Sequence, residues 1–476
     1  MKRRDFIGAG ILGAPALAIR TARAAAPPPS FLFVIADQLS MDAITAHGNR
    51  FVRTPNLDRL ARAGVSFRDS YTTYPLCSPA RSSMFTGRMP SETGVITNDL
   101  PIRAEIPNLG QWLGARGYEA VYAGKWHVPN SYTGDIPGFT VLPGGFTGQG
   151  HMGDAAVSRA CQAWLHNRSS QSPFLLVASL LQPHDICAWV SSHTREAAWE
   201  RMAEIPAPLP PIPANFEYDQ TEPRAMRSER RPKWSEKQWR YYLWSYYRHV
   251  EMVDAEIGRL LDALEDTGRA QNTVVIMTAD HGEGSGHHQM VLKNYLYDEA
   301  AKVPLFVSWP GRTPAGKQDT AHLVSGIDIT PTICDYAGVA APPDVAGRSL
   351  RPLVEGRNVQ WREMVAAEVA RGGRMLRTSE CKYIVYPNDP VEQLFDWKTD
   401  SGETRNLASD SRHAPALEAH RRLPKDWEGR LKLAPNAAKG RAVGQASWPV
   451  LVAPPSGGVL TSSSPGAGSA ALRRRT

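Results

Sequence analysis

Continuous apolar runs recur along the chain after residue 30, and polar residues follow most of them directly. Residues 31–36 and 273–278 are the clearest runs, and such runs are typical of strands buried on both faces. Residues 118–123, 173–180 and 304–309 have the same character. The pattern therefore predicts strands over these five segments.

Segments with the periodicity of helices lie between the predicted strands. Thr54-Pro55-Asn56 has the composition of a helix start, and apolar residues then recur until Gly64. Similar patterns cover residues 108–116 and 235–265. Alternation of strands and helices favours a mostly parallel sheet with helices on both faces, so we predict an α/β fold for residues 30–370.

The composition changes towards the end of the chain. Residues 375–386 and 393–397 have the pattern of short antiparallel strands, which predicts a smaller C-terminal subdomain over residues 371–432. Residues 433–476 are rich in Gly, Ser, Ala and Pro, and we expect a disordered tail. The Pro-dense residues 205–213 are expected to form an extended surface loop.

The first 26 residues have the pattern of a twin-arginine export signal. Arg3-Arg4-Asp5-Phe6 precedes a Gly/Ala-rich apolar stretch, and small residues near position 26 offer cleavage sites. We therefore predict that residues 1–26 are a signal peptide for the Tat translocase, and that the protein is periplasmic or secreted.

The net charge of +7 belongs to the ends of the chain. The leader carries +4, and Arg473, Arg474 and Arg475 carry +3, which leaves the body near neutrality. This distribution argues against nucleic acid as a partner. No segment approaches the ~20 apolar residues that a membrane-spanning helix needs, so we expect no stable membrane insertion.

Polar groups follow four of the predicted strands, and these groups are expected to converge. They are Asp37-Gln38, Gly124-Lys125-Trp126-His127, Gln182-Pro183-His184-Asp185 and Asp280-His281-Gly282-Glu283. Ligands of open parallel sheets bind at the carboxyl ends of the strands. Four separate groups at those ends predict one site.

The acidic members of these groups have the chemistry of metal ligands. Asp37, Gln38 and Asp280 are oxygen donors, and His281 adds a nitrogen donor or lies close by. A donor set rich in oxygen suits calcium or magnesium better than zinc. The alternative is that each aspartate caps a turn or a helix, as Asp often does after a strand.

Cys77 has unusual neighbours for a lone cysteine. Ser78-Pro79 predicts the start of a helix and Gly87 its end, so Cys77 lies at a helix N-terminus, where an anion is favoured. Arg81 follows one helical turn later on the same face. A buried apolar role or a disulfide stays open, and the other cysteines can pair or remain reduced. Those are Cys161, Cys187, Cys334 and Cys381.

Several cations fall in or near the same predicted loops. They are Arg81, Lys125, His127, His184 and Lys293. A buried cluster of cations is costly unless it binds an anion, so the cluster predicts an anionic group on the substrate. Each side chain taken alone is as well explained by an exposed surface position.

The segment Cys77-Ser78-Pro79-Ala80-Arg81 resembles the Cys-x-Pro-x-Arg motif of the type I sulfatases. The four polar groups and Lys293 occur in the family's order, and residues 396–407 resemble its C-terminal segment. The resemblance spans residues 30–410 and implies the alkaline phosphatase-like fold. It further implies that the host's formylglycine-generating system oxidises Cys77 to formylglycine (3-oxoalanine).

The same resemblance implies a role for each matching residue. Asp37, Gln38, Cys77, Asp280 and His281 would hold Ca²⁺, with Mg²⁺ or Mn²⁺ as alternatives. The hydrate of the formylglycine would attack the sulfur of a sulfate monoester, either a sulfated carbohydrate or an aryl sulfate. Arg81 and Lys125 would orient the hydrate, His184 and Lys293 would bind the sulfate, and His127 would remove a proton.

Gln38 departs from the pattern of many sulfatases, which have two aspartates at this place. Asp37-Gln38 is similar to choline sulfatases and phosphonate monoester hydrolases, so a phosphonate or phosphate diester hydrolase is the alternative function. Binding of sulfated glycans without turnover is a third hypothesis, for a host that leaves Cys77 as a thiol. A two-zinc phosphatase is disfavoured because Cys77 replaces the expected Ser or Thr.

Overall fold

The computed structural model describes residues 27–143, 150–193, 208–227 and 231–437. Its strands are β1 Ser30–Asp37, β2 Val65–Phe67, β3 Ser70–Tyr71, β4 Glu119–Gly124, β5 Thr140–Val141, β6 Phe174–Pro183, β7 Thr273–Ala279, β8 Leu305–Ser308, β9 Lys317–Asp319, β10 Val324–Ser325, β11 Met364–Val369, β12 Gly373–Thr378, β13 Cys381–Val385 and β14 Gln393–Asp396. Its α-helices are α1 Pro55–Ala63, α2 Cys77–Thr86, α3 Pro90–Thr93, α4 Leu109–Gly114, α5 Gly150–Asn167, α6 Ile186–Ser192, α7 Arg224–Arg227, α8 Glu236–Asp266, α9 Asp298–Ala301, α10 Ile329–Tyr336, α11 Arg351–Val354 and α12 Ala414–Glu428.

The main sheet has eight strands in the order β5-β4-β6-β1-β7-β8-β2-β9. The first five strands in this order, β5, β4, β6, β1 and β7, are mutually parallel, whereas β8 runs antiparallel to β7. The predicted α/β class with a mostly parallel sheet is therefore confirmed. Five of these strands cover the five apolar runs, within one to three residues at their ends.

Strand β1 shows why its sequence is apolar throughout. Leu32, Val34 and Ala36 point into a core shared with α5 and α8. Phe31, Phe33 and Ile35 point to the opposite face, into a core shared with α2, α4 and α10. Because side chains alternate between faces and helices cover both, every residue of this strand is buried.

The helix α2 carries Cys77 into the interior. All ten of its residues are buried, and it ends at Gly87, whose φ of 71° is in the left-handed region that favours glycine. The helix begins at Cys77, one residue before the expected Ser78. Ser78 instead donates its hydroxyl to the carbonyl of His127, which ties the helix start to the loop after β4.

The predicted smaller antiparallel sheet is formed by β11 to β14 in sequence order, with α12 packed against it. Its first strand begins at Met364, before residue 371. Tyr71, Tyr295 and Tyr297 join this sheet to the larger domain through a shared apolar core.

Three expectations fall on residues outside the described ranges: the leader 1–26, most of the tail and part of the loop 205–213. Within the described ranges, no helix has both the length and the apolar character needed to cross a membrane. All five cysteines are described, and each is a free thiol.

Candidate active site

The four polar groups lie at the carboxyl ends of four neighbouring parallel strands, β4, β6, β1 and β7. Asp37 ends β1, Lys125 follows β4, His184 follows β6 and Asp280 follows β7. Gly124 allows β4 to approach β6, since a Cβ there would lie 2.0 Å from the carbonyl oxygen of Ser179. The expected convergence is therefore present in the fold.

Four buried side chains meet at the centre of this edge. Ligand atoms of Asp37, Cys77, Asp280 and His281 all lie within 4.8 Å of one another. The Cys77 Sγ lies 3.3 Å from His281 Nε2 and 3.6 Å from Asp37 Oδ1. We call these four residues the central cluster.

Arg81 holds the two carboxylates of the central cluster in place. Its Nη2 donates to Asp37 Oδ2 at 3.0 Å and its Nε donates to Asp280 Oδ2 at 2.9 Å, with all three side chains fully buried. The Oδ1 atoms of both carboxylates lie on the side of His281, 3.6–3.7 Å from its Nε2. The guanidinium thus bridges the carboxylates rather than reaching back to Cys77.

Ser179 completes the surroundings of Arg81, and sequence reasoning did not find it. Arg81 Nη1 donates to Ser179 Oγ at 2.7 Å and to the carbonyl of Lys125 at 2.8 Å. Ser179 Oγ in turn donates to that carbonyl at 2.7 Å. A serine within the apolar run 173–180 was the available signal.

Two lysines give the region around Cys77 a positive potential. Lys293 Nζ lies 3.3 Å from the Cys77 Sγ and Lys125 Nζ lies 3.7 Å from it. Burial and Asp37 act to raise the pKa of the Cys77 thiol, but Lys125, Lys293 and His281 outweigh them, so this pKa is well below its usual value. The site therefore stabilises negative charge at position 77.

The charge states of Lys293 and His184 differ. Burial would lower the pKa of Lys293, but the Cys77 sulfur, Cys187 and Asp37 raise it above its ordinary value, so this lysine is charged. Burial, together with Lys293 and Lys125, lowers the pKa of His184 to about 4. His184 therefore contributes a neutral imidazole next to Cys77, with which it shares a hydrogen bond.

His127 lies at the edge of the site. Its Nε2 pairs with the exposed carboxylate of Asp99 at 3.2 Å, and its backbone carbonyl accepts a hydrogen bond from Ser78. Its Nδ1 is buried without a hydrogen-bond partner among the described residues. The contact with Asp99 joins distant parts of the sequence, and no sequence pattern pointed to it.

The donor atoms of the central cluster fit a hard divalent cation. Two carboxylates supply oxygens, and His281 Nδ1 donates to the carbonyl of Gly282 at 2.9 Å, so Nε2 is the ring nitrogen that faces the cluster and would bind a cation once it has lost its proton. Gln38 adds an amide oxygen, Oε1, which accepts a hydrogen bond from Lys293 at 2.6 Å. Calcium and magnesium prefer such oxygen-rich sets.

Comparisons with known proteins agree on one family. The sequence matches the family model described as Sulfatase over residues 29–339, and that described as N-sulphoglucosamine sulphohydrolase, C-terminal, over residues 286–425. A Delta 4,5-hexuronate-2-O-sulfatase of Bacteroides thetaiotaomicron is 32% identical over 441 residues, covering 85% of this chain and 89% of the relative. A choline-sulfatase of Rhizobium meliloti is 28% identical, with 81% and 84% of the two chains covered. The solved structure of a 2-O GAG sulfatase has a TM-score of 0.77 at 30% identity, over 85% of this chain and 92% of that one.

Proposed function

This chain belongs to the sulfatase family, and from that premise we propose that it hydrolyses a sulfate monoester of a sulfated carbohydrate. The observation that carries the proposal is the burial of Cys77 between two lysines and the carboxylates of the central cluster. One similar protein is named a hexuronate-2-O-sulfatase and another a 2-O GAG sulfatase, and both names favour a 2-O-sulfated sugar as the substrate class.

We assign two groups to the site that the chain does not itself encode. Formylglycine made from Cys77 supplies, as its hydrate, a nucleophilic hydroxyl. Asp37, Gln38, Asp280, His281 and position 77 would hold Ca²⁺, and this ion would supply polarisation of the sulfate oxygens. The fit of the donor atoms supports the cation, and the two lysines beside position 77 support a nucleophile that develops negative charge there.

The chain's own side chains would bind the sulfate and move protons. Lys125 and Lys293 neutralise the sulfate, His184 binds it as a neutral imidazole, and Lys293, which is charged, gives a proton to the leaving alcohol. Arg81 holds the Oδ2 atoms of both carboxylates, which would leave their Oδ1 atoms for the cation. His127 takes a proton at Nδ1, because Asp99 pairs with Nε2.

The first test is the mass of the proteolytic peptide that contains Cys77, from protein made in its native host. Conversion of thiol to aldehyde is expected. If the thiol is unmodified and the protein binds sulfated glycans without hydrolysing them, the proposal of catalysis is refuted and the binding function takes its place.

The second test separates sulfate from phosphonate chemistry. We expect kcat/KM for an unsaturated hexuronate 2-O-sulfate disaccharide, and for an aryl sulfate, to exceed that for an aryl phosphonate monoester. The reverse order would favour the phosphonate or phosphate diester hydrolase that Gln38 suggests. Export by the Tat translocase to the periplasm or beyond stays a prediction of the leader sequence.

Replacing Lys125 by alanine should reduce kcat without abolishing turnover. Lys125 Nζ is 2.6 Å from Asp37 Oδ2 and 3.7 Å from the Cys77 Sγ, so the change removes one of two ammonium groups beside the nucleophile. We expect a loss of about 10²–10³-fold in kcat, the usual cost of one electrostatic group. Steady-state kinetics on the preferred sulfate ester measures it, and a loss below about tenfold would contradict the assignment.

A further inference from the structure

Gln38 makes a hydrogen bond at each polar atom. Its backbone N–H donates to Asp280 Oδ1 at 3.1 Å, and its carbonyl accepts from the Tyr246 hydroxyl at 2.8 Å. The residue is fully buried and has a φ of 73°, in the region that residues with side chains seldom adopt. Such a conformation persists only where the surrounding contacts impose it.

The two ends of the Gln38 amide face neighbours with opposite hydrogen-bonding capacity. Nε2 faces the carboxylate of Glu283, and an ionised carboxylate only accepts hydrogen bonds. Oε1 lies 2.6 Å from Lys293 Nζ, and an ammonium only donates. These two neighbours therefore fix which end of the amide carries the oxygen.

The oxygen of Gln38 lies beside Lys293, which borders the central cluster, and it also accepts a hydrogen bond from the Cys187 thiol at 3.3 Å. The same Lys293 Nζ that contacts Oε1 lies 3.3 Å from the Cys77 Sγ and 3.8 Å from Asp37 Oδ1. Glu283 lies on the opposite side of the amide and contacts none of these atoms within hydrogen-bond distance. Glu283 is thus separated from the reacting groups by the side chain of Gln38.

The carboxylate of Glu283 is itself held in one orientation. Its Oε1 accepts from the hydroxyl of Tyr242 and from the backbone N–H of Leu292, and the side chain is fully buried. The backbone N–H of Glu283 donates a hydrogen bond to Ser40 Oγ at 2.9 Å, which also holds the main chain at this residue. The carboxylate of Glu283 is therefore a fixed hydrogen-bond acceptor for the side-chain amide of Gln38.

We propose that Glu283 is a positioning residue for the divalent cation: by accepting the Nε2 proton of Gln38, it directs the Gln38 oxygen to the metal. This inference rests on the proposed function, because it takes a metal-dependent sulfatase as its setting. It also accounts for the missing charge at position 38. The chain keeps a carboxylate near position 38, that of Glu283, but it contacts the Gln38 amide and would not bind the metal itself.

The test compares calcium affinity in the wild-type chain and in Glu283→Gln, after removal of metal with a chelator. A glutamine at 283 offers both a donor and an acceptor, so only Lys293 would still favour one orientation of the Gln38 amide. We expect Ca²⁺ to bind about 10–100-fold more weakly, the usual effect of a group that orients a metal ligand. Isothermal titration calorimetry gives the affinity, and the melting temperature in chelator shows whether the fold is intact.

Glu368→Gln is the matched control. Glu368 is equally buried, and its Oε2 accepts from the backbone N–H of Ser91 at 3.0 Å, outside the central cluster. Calcium affinity should be unchanged in this variant. A similar loss in both variants would mean that removing any buried carboxylate weakens the site, and would overturn the proposal.

The exchanged pair gives the sharpest result. Gln38→Glu alone sets two carboxylates against each other, whereas Gln38→Glu combined with Glu283→Gln restores one donor and one acceptor across the contact. We expect the double variant to bind Ca²⁺ more tightly than either single variant. If the double variant does not recover calcium affinity, or if Glu283→Gln binds Ca²⁺ as tightly as the wild type, the positioning role of Glu283 is refuted. The proposed sulfatase function is unaffected by either result. A wild-type chain that binds none of Ca²⁺, Mg²⁺ and Mn²⁺ would instead refute the metal-dependent function, and this inference with it.

Discussion

Replacing Cys77 by alanine is expected to abolish turnover while the protein still folds. The side chain is 1% exposed and its sulfur lies within 3.3 Å of both His281 Nε2 and Lys293 Nζ, so no other group can take over at this point of the site. Loss of a nucleophile typically costs about 10⁶-fold in kcat. Steady-state kinetics and a thermal melt measure the two effects. A rate within tenfold of wild type would refute the mechanism, since single electrostatic groups already cost more.

Cys77→Ser is the informative companion to this variant. Serine keeps one hydroxyl at the same position but lacks the second hydroxyl of an aldehyde hydrate, through which sulfate would be expelled. We therefore expect at most one transfer per molecule, detected as the mass of one SO₃ group on the peptide that contains residue 77. Sustained turnover by the serine variant would show that an aldehyde is not required.

Replacing Arg81 by methionine is expected to destabilise the fold more than any change at the surface of the site. Arg81 is fully buried between Asp37 and Asp280, and its removal takes the guanidinium from Asp280 in the interior, while Asp37 keeps Lys125 and Lys293 as partners. Breaking a buried ion pair in this way costs about 3–5 kcal/mol of unfolding free energy. Urea unfolding in chelator measures the loss.

Calcium should restore part of the stability of Arg81→Met, because a bound cation compensates the same carboxylates. Arg377→Met is the matched control. Arg377 is also buried, but its guanidinium lies 4.1 Å above the ring of Trp397 and its Nε and Nη1 have no hydrogen-bond partner among the described residues. Equal losses of stability in both variants, independent of calcium, would contradict the bridging role of Arg81.

The strands that carry the site could be predicted from the sequence because the signal is local. An uninterrupted apolar run predicts burial on both faces, and the residue after such a strand lies at the ligand-binding edge of a parallel sheet. Asp37, Lys125, His184 and Asp280 were found by this argument. The direction of a strand is not contained in its own sequence, so the antiparallel pairing of β8 with β7 could not be predicted.

The partners of the site residues were harder to predict, because they join segments far apart in the chain. The spacing of Arg81 from Cys77 gave the correct helix face, but the side chain ends on carboxylates contributed by two other strands. Glu283 was visible as part of a polar group, yet its contact with Gln38 spans 245 positions. Only the folded chain reveals that the two side chains meet.

Because Cys77 is buried in the folded protein, any enzymatic modification of its thiol has to occur before folding is complete. Cys77 lies in the first sixth of the chain, whereas Asp280 and Lys293, which enclose it, are synthesised about two hundred residues later. The oxidation of Cys77 that we propose would therefore have to precede the folding of these later segments over the thiol. For a chain that crosses the membrane already folded, this chemistry has to be finished in the cytoplasm, before export begins.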